Sequence, residues 1–341
     1  MKALVLVRNS NPENSFELQE RPSLDPKPEE VCIEAEAFGL NYADIMARKG
    51  RYKDAPPLPS VIGYETAGRI IKVGSAVEGL EVGQRVAAFC RFGGYATEVL
   101  TNADAVVPIP EDMPVGEALA LTVQYCTAWY CAEECMTLHP GDHVLVQAAA
   151  GGVGLALVQM AKRRGCTIYG TAGSPEKLEF LKKQGVHHPI NYRKDDFVSK
   201  IREIRNGGGV DVVFDSLGGK EFKRGFKLLE PGGRIAGFGN ASRSNGWANI
   251  FGDLKTLFGF GFYSPAFLLM QSRAIIGVNM LRVADSRAKV FKHCLEAVGK
   301  AASNGDFKPV IGATFKAEQL AEAHQYMEAR KSIGKIVVEW T

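Results

Sequence analysis

The residues best placed to do chemistry begin at His143. His143-Val144-Leu145-Val146-Gln147-Ala148 is a largely apolar run, and Ala149-Ala150-Gly151-Gly152-Val153-Gly154 follows it directly. A buried parallel strand needs such a run. A turn of residues without bulky side chains, opening into a helix, lets backbone N–H groups and the positive helix N-terminus approach an anion closely. Leu155 to Lys162 reads as that helix, closing near Gly165, and Thr167-Ile168-Tyr169-Gly170-Thr171 reads as the next strand. Strand, small-residue turn, helix, strand is the context in which Ala148-x-x-Gly151-x-x-Gly154 cradles a dinucleotide pyrophosphate.

The pattern around the turn supplies the rest of a sheet. Val210–Gly219 reads as a buried strand with a polar, glycine-containing tip, and Gly233–Gly239 and Ala274–Leu281 read as two more. Helical patterns at Pro175–Gln184 and Lys220–Leu229 separate them. Strands alternating with helices imply an α/β, doubly wound parallel sheet with ligands at the C-terminal ends of its strands.

The tip of the second strand, Thr171-Ala172-Gly173-Ser174-Pro175-Glu176-Lys177, bears on which dinucleotide binds. NAD sites often hold the ribose 2′-OH with an acid there. Ala172 stands in that place, Ser174 offers a donor and Lys177 a positive charge, which favours NADPH over NADH. Glu176 is the residue that argues the other way.

Residues 1–120 have a different texture, with short apolar runs between Gly, Pro and Asp or Asn. Val31–Ala37, Thr66–Gly74, Arg85–Phe89 and Gly94–Leu100 read as strands of a compact antiparallel or barrel-like domain. Met1–Val7 reads as a first strand and not as a signal peptide, because the apolar stretch is short and lacks a cleavage site. The 341 residues are enough for two domains. Lys and Arg number 41 against 38 Asp and Glu, a net charge of +3 that argues against nucleic acid as a partner. No apolar run reaches the ~20 residues of a membrane span. Seven cysteines without a CxxC pair suit a reduced, cytoplasmic protein.

Taken together, Gly39-Leu40-Asn41-Tyr42-Ala43-Asp44, Gly63-Tyr64-Glu65-Thr66-Ala67-Gly68, Gly83-Gln84-Arg85-Val86, the loop at 149–154 and Gly334-Lys335-Ile336-Val337-Val338 resemble the medium-chain dehydrogenase/reductase superfamily over essentially the whole chain. The resemblance implies a GroES-like β-rich domain at 1–123 plus 284–341. It also implies a Rossmann domain at 124–283 with an aromatic-rich insertion at 243–272. Zinc-dependent members carry Cys at the place of Asn41, Gly-His-Glu at the place of Gly63-Tyr64-Glu65, and a four-cysteine lobe where this chain runs from Arg91 into Phe92-Gly93-Gly94. The chain is therefore similar to the zinc-free quinone oxidoreductase branch, which includes VAT-1-like and zeta-crystallin-like members, and no metal ligands are expected.

Residue by residue, the resemblance puts Asn41, Asp44 and Tyr52 beside the nicotinamide and Thr127 near its carboxamide. It puts Gly151, Gly152, Val153 and Gly154 at the pyrophosphate. Gly173, Ser174, Lys177 and Tyr192 fall at the adenosine 2′-phosphate, Phe238 and Gly239 at the nicotinamide ribose, and Lys335 near the cofactor phosphates. Met46 stands where some quinone reductases carry a tyrosine. Without a metal, an amide or phenol must receive the negative charge that develops when hydride reaches a conjugated carbonyl. Asn41 and Tyr52 are the candidates, Tyr52 also as proton donor. The expected activity is NADPH-dependent reduction of a small hydrophobic quinone or enone. A non-catalytic NADPH-binding sensor or scaffold and an enoyl-thioester reductase are the alternatives.

Residues 246–270 hold Trp247, Phe251, Phe258, Phe260, Phe262, Tyr263 and Phe267. A pair of short helices buried on the Rossmann domain is the first reading, and a lid, a dimer contact or a lipid-touching surface are the others. The edge strand at Ala274–Leu281 implies a homodimer paired across a two-fold axis.

Overall fold

A computed structural model describes residues 1–241 and 258–340. The chain forms two compact units, Met1–Cys126 with Met280–Thr341 and Thr127–Asn279. Among the described residues no helix is long and apolar enough to cross a membrane. All seven cysteines are free thiols, and only Cys135 is not buried.

The second unit holds a six-stranded parallel sheet in the spatial order His188–Asn191, Thr167–Ala172, His143–Val146, Val210–Asp215, Leu229–Gly237, Ala274–Gly277. Counted along this unit the order is 3-2-1-4-5-6, the doubly wound Rossmann order. Its apolar strands are buried on both faces, as Val144, Leu145, Val146, Val212, Val213 and Phe214 show by their complete burial. The helix Pro175–Gln184 starts on Ser174, whose hydroxyl accepts from the Lys177 N–H, and stops at the left-handed Gly185. Those are ordinary start and stop signals.

Two expectations are corrected here. The last strand covers only Ala274–Gly277, and Met280–Ser286 is helical. The burial pattern of that strand (exposed, intermediate, intermediate, exposed) is that of a sheet edge. Over its described part, residues 258–271, the aromatic segment is not buried as expected. Phe260 packs on Phe222 and Tyr263 on Phe226, but the helix Pro265–Gln271 buries no residue. Phe258, Phe262, Leu269 and Met270 are exposed. Trp247 and Phe251 lie outside the described residues.

The first unit is β-rich. Phe16–Glu20, Lys2–Leu6 and Ser60–Val61 make a small antiparallel sheet. A seven-stranded sheet centres on Glu30–Leu40, which pairs with Glu65–Val73 along one edge and, along the other, with Glu98–Asn102 at its start and Lys335–Glu339 at its end. The fourth predicted strand starts at Glu98 and not at Gly94, since Tyr95 instead ties the turn at Ile62 to the first strand through backbone hydrogen bonds. Register matters for the chemistry. Val337 lies opposite Gly39 and Thr66 opposite Phe38, so Lys335, Gly39 and Glu65 are brought side by side from three neighbouring strands.

Candidate functional site

In the second unit, the strand His143–Val146 ends at a bend in which Ala148 has φ 52°. A non-glycine residue in that left-handed region is strained, and such strain gathers at functional loops. The bend is pinned by Gly151 N–H to Ala148 O (2.9 Å), Ala149 N–H to Thr171 O (3.0 Å) and Ala148 N–H to Thr171 Oγ1 (3.1 Å). Gly151 then caps the twelve-residue helix Gly152–Arg163. Gly151, Gly152 and Val153 are half-buried, so the amides of the first turn remain reachable. A Cβ at Gly154 would lie 2.6 Å from Ala148 O and 2.8 Å from Ala149 O, so the close helix-to-loop approach requires glycine. The loop sits between the first and fourth strands of the unit, where the strand order reverses and such sheets bind ligands. The residues present fit a dinucleotide pyrophosphate.

At the tip of the second strand, a Cβ on Gly173 would fall 2.6 Å from the Tyr192 hydroxyl and 3.1 Å from Arg193 Nε. Ser174, Lys177, Tyr192 and Arg193 therefore converge. Burial, followed by the nearby Arg193, pushes the Lys177 ammonium below its ordinary pKa. An anion there relieves both effects, which fits a 2′-phosphate. Arg193 was missed by the sequence reading. Its signal was adjacency to Tyr192, but only the pairing of His188–Asn191 beside Thr167–Ala172 carries it to Gly173. Glu176 is exposed, and a hydrogen bond with Ser174 holds its carboxyl below the usual range.

Phe238 and Gly239 follow the fifth strand, with the Phe238 N–H donating to Asp215 O (2.9 Å). Gly239 is exposed and its α-carbon hydrogens face Ser216. Asp215, at the adjacent strand tip, accepts from the Gly218 N–H (2.7 Å), and burial pushes its carboxyl up to about 7. Thr127 is buried on the short helix Cys126–Trp129.

The first unit gathers the other candidates. Asn41 caps the helix Tyr42–Arg48, its N–H donating to Asp44 Oδ2 (2.7 Å). Asn41 Nδ2 donates to Glu65 Oε1 (2.6 Å), and Lys335 Nζ donates both to Glu65 Oε1 and to Asn41 Oδ1 (3.3 Å). Thr122 Oγ1 (2.6 Å) and the Val123 N–H (3.2 Å) fill Glu65 Oε2. Glu65 and Lys335 are 0% exposed and Asn41 8%. Tyr52 is half-buried with its ring edge-on to Tyr64 at 5.9 Å. Burial, helped by Asp54, raises its pKa, so the phenol keeps its proton.

Two residues sit otherwise than expected. Lys335 has no exposed surface, and its ammonium is committed to Glu65 and Asn41, so it is not a charge offered to a phosphate. Asp44 is likewise wholly buried, where it holds the Asn41 backbone, and burial pushes its carboxyl up to about 8. Glu65 and Thr122 belong to this cluster and were not among the candidates. Residues 24 and 81 positions away from Asn41 leave no local pattern to read.

A β-rich unit built around the Asn41 turn, and a doubly wound unit with a glycine loop at its switch point, define a medium-chain dehydrogenase/reductase. The family models agree: residues 27–111 match the alcohol dehydrogenase GroES-like domain and residues 152–296 the zinc-binding dehydrogenase family. The chain belongs to that superfamily, in its quinone oxidoreductase/VAT-1-like branch, and is an NAD(P)H-dependent reductase. It is 36% identical to the human synaptic vesicle membrane protein VAT-1 homolog over 95% of this chain and 83% of the relative. It is 33% identical to the 2-haloacrylate reductase of a Burkholderia species over 98% of both chains. Among solved structures, Escherichia coli quinone oxidoreductase complexed with NADPH matches with a TM-score of 0.85 at 27% identity, covering 99% of this chain and 100% of that one.

Proposed function

We propose that this protein is a zinc-independent NADPH reductase of conjugated carbonyls, quinones or enones. The observation that carries the reading is the pairing of a glycine loop at a helix N-terminus with the cationic Ser174, Lys177, Tyr192 and Arg193 cluster at the next strand tip. The cluster favours the phosphorylated nicotinamide cofactor, which supplies hydride when bound. The crystallised NADPH complex of a relative and the activated C=C in the name of another support this reading.

The chain's own residues have the remaining work. Addition of hydride to the β-carbon of an enone moves an electron pair onto the carbonyl oxygen. Asn41 offers that oxygen an amide N–H, and the Tyr52 phenol returns a proton to the product, regaining its own from solvent. Zinc does not suit this site. Asn41 is a neutral amide, and both oxygens of Glu65 are filled by four protein donors, whereas zinc asks for deprotonated Cys, His or carboxylate ligands. The exposed edge strand Ala274–Gly277, next to exposed Leu269 and Met270, supports a homodimer.

Fluorescence titration with NADPH and NADH, followed by steady-state NADPH oxidation across quinones, enones, 2-haloacrylate and enoyl-thioesters, tests the proposal. Tight NADPH binding with turnover of quinone or enone is expected. Binding without turnover of anything favours the sensor or scaffold role suggested by the VAT-1 likeness. Absence of NADPH binding overturns both.

A further inference from the structure

Lys335 and Glu65 form a wholly buried ion pair, and two charges are costly to take out of water unless their remaining hydrogen-bonding capacity is used. The chain meets that condition at Glu65. Glu65 receives four donors, and one of them is the side-chain amide of Asn41. The amide is gripped at both ends, Nδ2 by a carboxylate and Oδ1 by an ammonium. Rotating it by half a turn would set its oxygen against Glu65 and its NH2 against Lys335, both repulsive. Only one orientation survives. In it, one Nδ2 hydrogen is taken by Glu65, and among the described residues the second has no partner.

The backbone is shaped for the same arrangement. A Cβ on Gly39 would lie 2.2 Å from Glu65 Oε1, 2.4 Å from Lys335 Cε and 2.5 Å from Lys335 Nζ. Glycine at 39 is thus required for the pair to meet over the central strand, two residues before the amide that the pair holds.

We propose that Glu65 and Lys335 are positioning residues for Asn41, locking its carboxamide so that the free Nδ2 hydrogen is presented to the substrate carbonyl oxygen. This deepens the reductase reading and rests on it. The pair does not touch substrate. It acts through Asn41, fixing the direction of one hydrogen bond in advance, and misplacement of such a group by an ångström can cost on the order of 100-fold in rate.

A mutant cycle in the full-length protein tests this. Lys335→Met is expected to lower kcat for quinone or enone at least about tenfold, with the NADPH Kd changed less than about threefold. In an Asn41→Ala background the same substitution is expected to cost nothing more, because the group it positions is gone. Lys335→Arg is expected to restore much of the rate. Full additivity with Asn41→Ala, or a loss carried entirely by NADPH affinity, overturns the proposal. Lys335→Met strands a buried carboxylate, so Lys335→Met/Glu65→Leu, which removes both charges, is measured in parallel and read identically. A second readout needs no turnover. In the wild-type protein, the Asn41 Nδ2 hydrogen held by Glu65 should exchange with solvent far more slowly than those of exposed side-chain amides, its 15N-bound signal being assigned by its loss in Asn41→Ser. Exchange of that hydrogen as fast as in exposed side-chain amides would overturn the lock. Failure of wild-type turnover with the amide locked would sink the reductase reading alone.

Discussion

The loop 148–154 of the second unit and the Asn41 cluster of the first handle polar groups in opposite ways. The loop leaves backbone amides reachable at a helix end and removes side chains from their path. The proposed recognition is by main chain and needs little beyond small residues in order. The cluster around Asn41 does the reverse. It buries a carboxylate, an ammonium and an amide together and engages nearly every donor and acceptor internally. An open cradle of this kind accepts a large anion, while a closed, saturated network holds one group still. A reductase needs both, one to hold the hydride carrier and one to direct a hydrogen bond.

The comparison breaks most sharply at Gly154. Gly154→Val overpacks the cradle against Ala148 and Ala149, a penalty of about 1–3 kcal/mol that at its upper end is about a 100-fold loss of NADPH affinity. Titration of the variant with NADPH measures it, and unaltered affinity would show that the loop does not hold the cofactor. Asn41→Ala should show the complementary signature, a kcat lowered by about 100-fold with cofactor affinity nearly unchanged. Steady-state kinetics beside binding separates the two, and a loss confined to affinity would erase the division of labour.

Arg193→Ala sharpens the cofactor side. Loss of one charge-assisted contact of about 1.5–3 kcal/mol should weaken NADPH binding by at least about tenfold and leave NADH unchanged. An equal loss for both dinucleotides would place Arg193 away from the 2′-phosphate.

The smallest effect concerns pH. Burial raises Asp44 in the fold to about 8, while the unfolded chain ionises near the ordinary carboxylate value. The neutral form is therefore favoured by folding, and stability is greatest below about pH 4 on account of this group. It is lost progressively as pH rises towards 8. Asp44→Asn keeps an acceptor for the Asn41 N–H and removes the titration. Its melting temperature relative to wild type should climb between pH 5 and 8.5, by a few degrees. A pH-independent difference would show that Asp44 stays ionised.

Legibility divided along the same line. The strand, turn and helix from His143 to Arg163 are contiguous, and the helix Pro175–Gln184 matches its predicted bounds because Ser174 and Gly185 are local punctuation. The edge strand was read too long because Ala274–Leu281 is apolar but for Asn279, and apolar runs do not separate strand from helix. Nothing local showed that Lys335 turns inward. Its partner is 270 residues away, and the ammonium finds it only once three strands have paired in register.

From its order of residues alone, this chain determined a small-residue loop between strand and helix, the absence of the usual zinc-ligand residue types at 41 and 64, and a two-part architecture. These depend on contiguous patterns of size, polarity and turn formation, which survive in an unfolded list. The tertiary structure alone decided that Arg193 joins Lys177, that Asp44 and Lys335 are buried, and that Asn41 is held by Glu65. Those outcomes depend on strand register and on burial, which set distances and desolvation between residues far apart in the chain and exist only after folding.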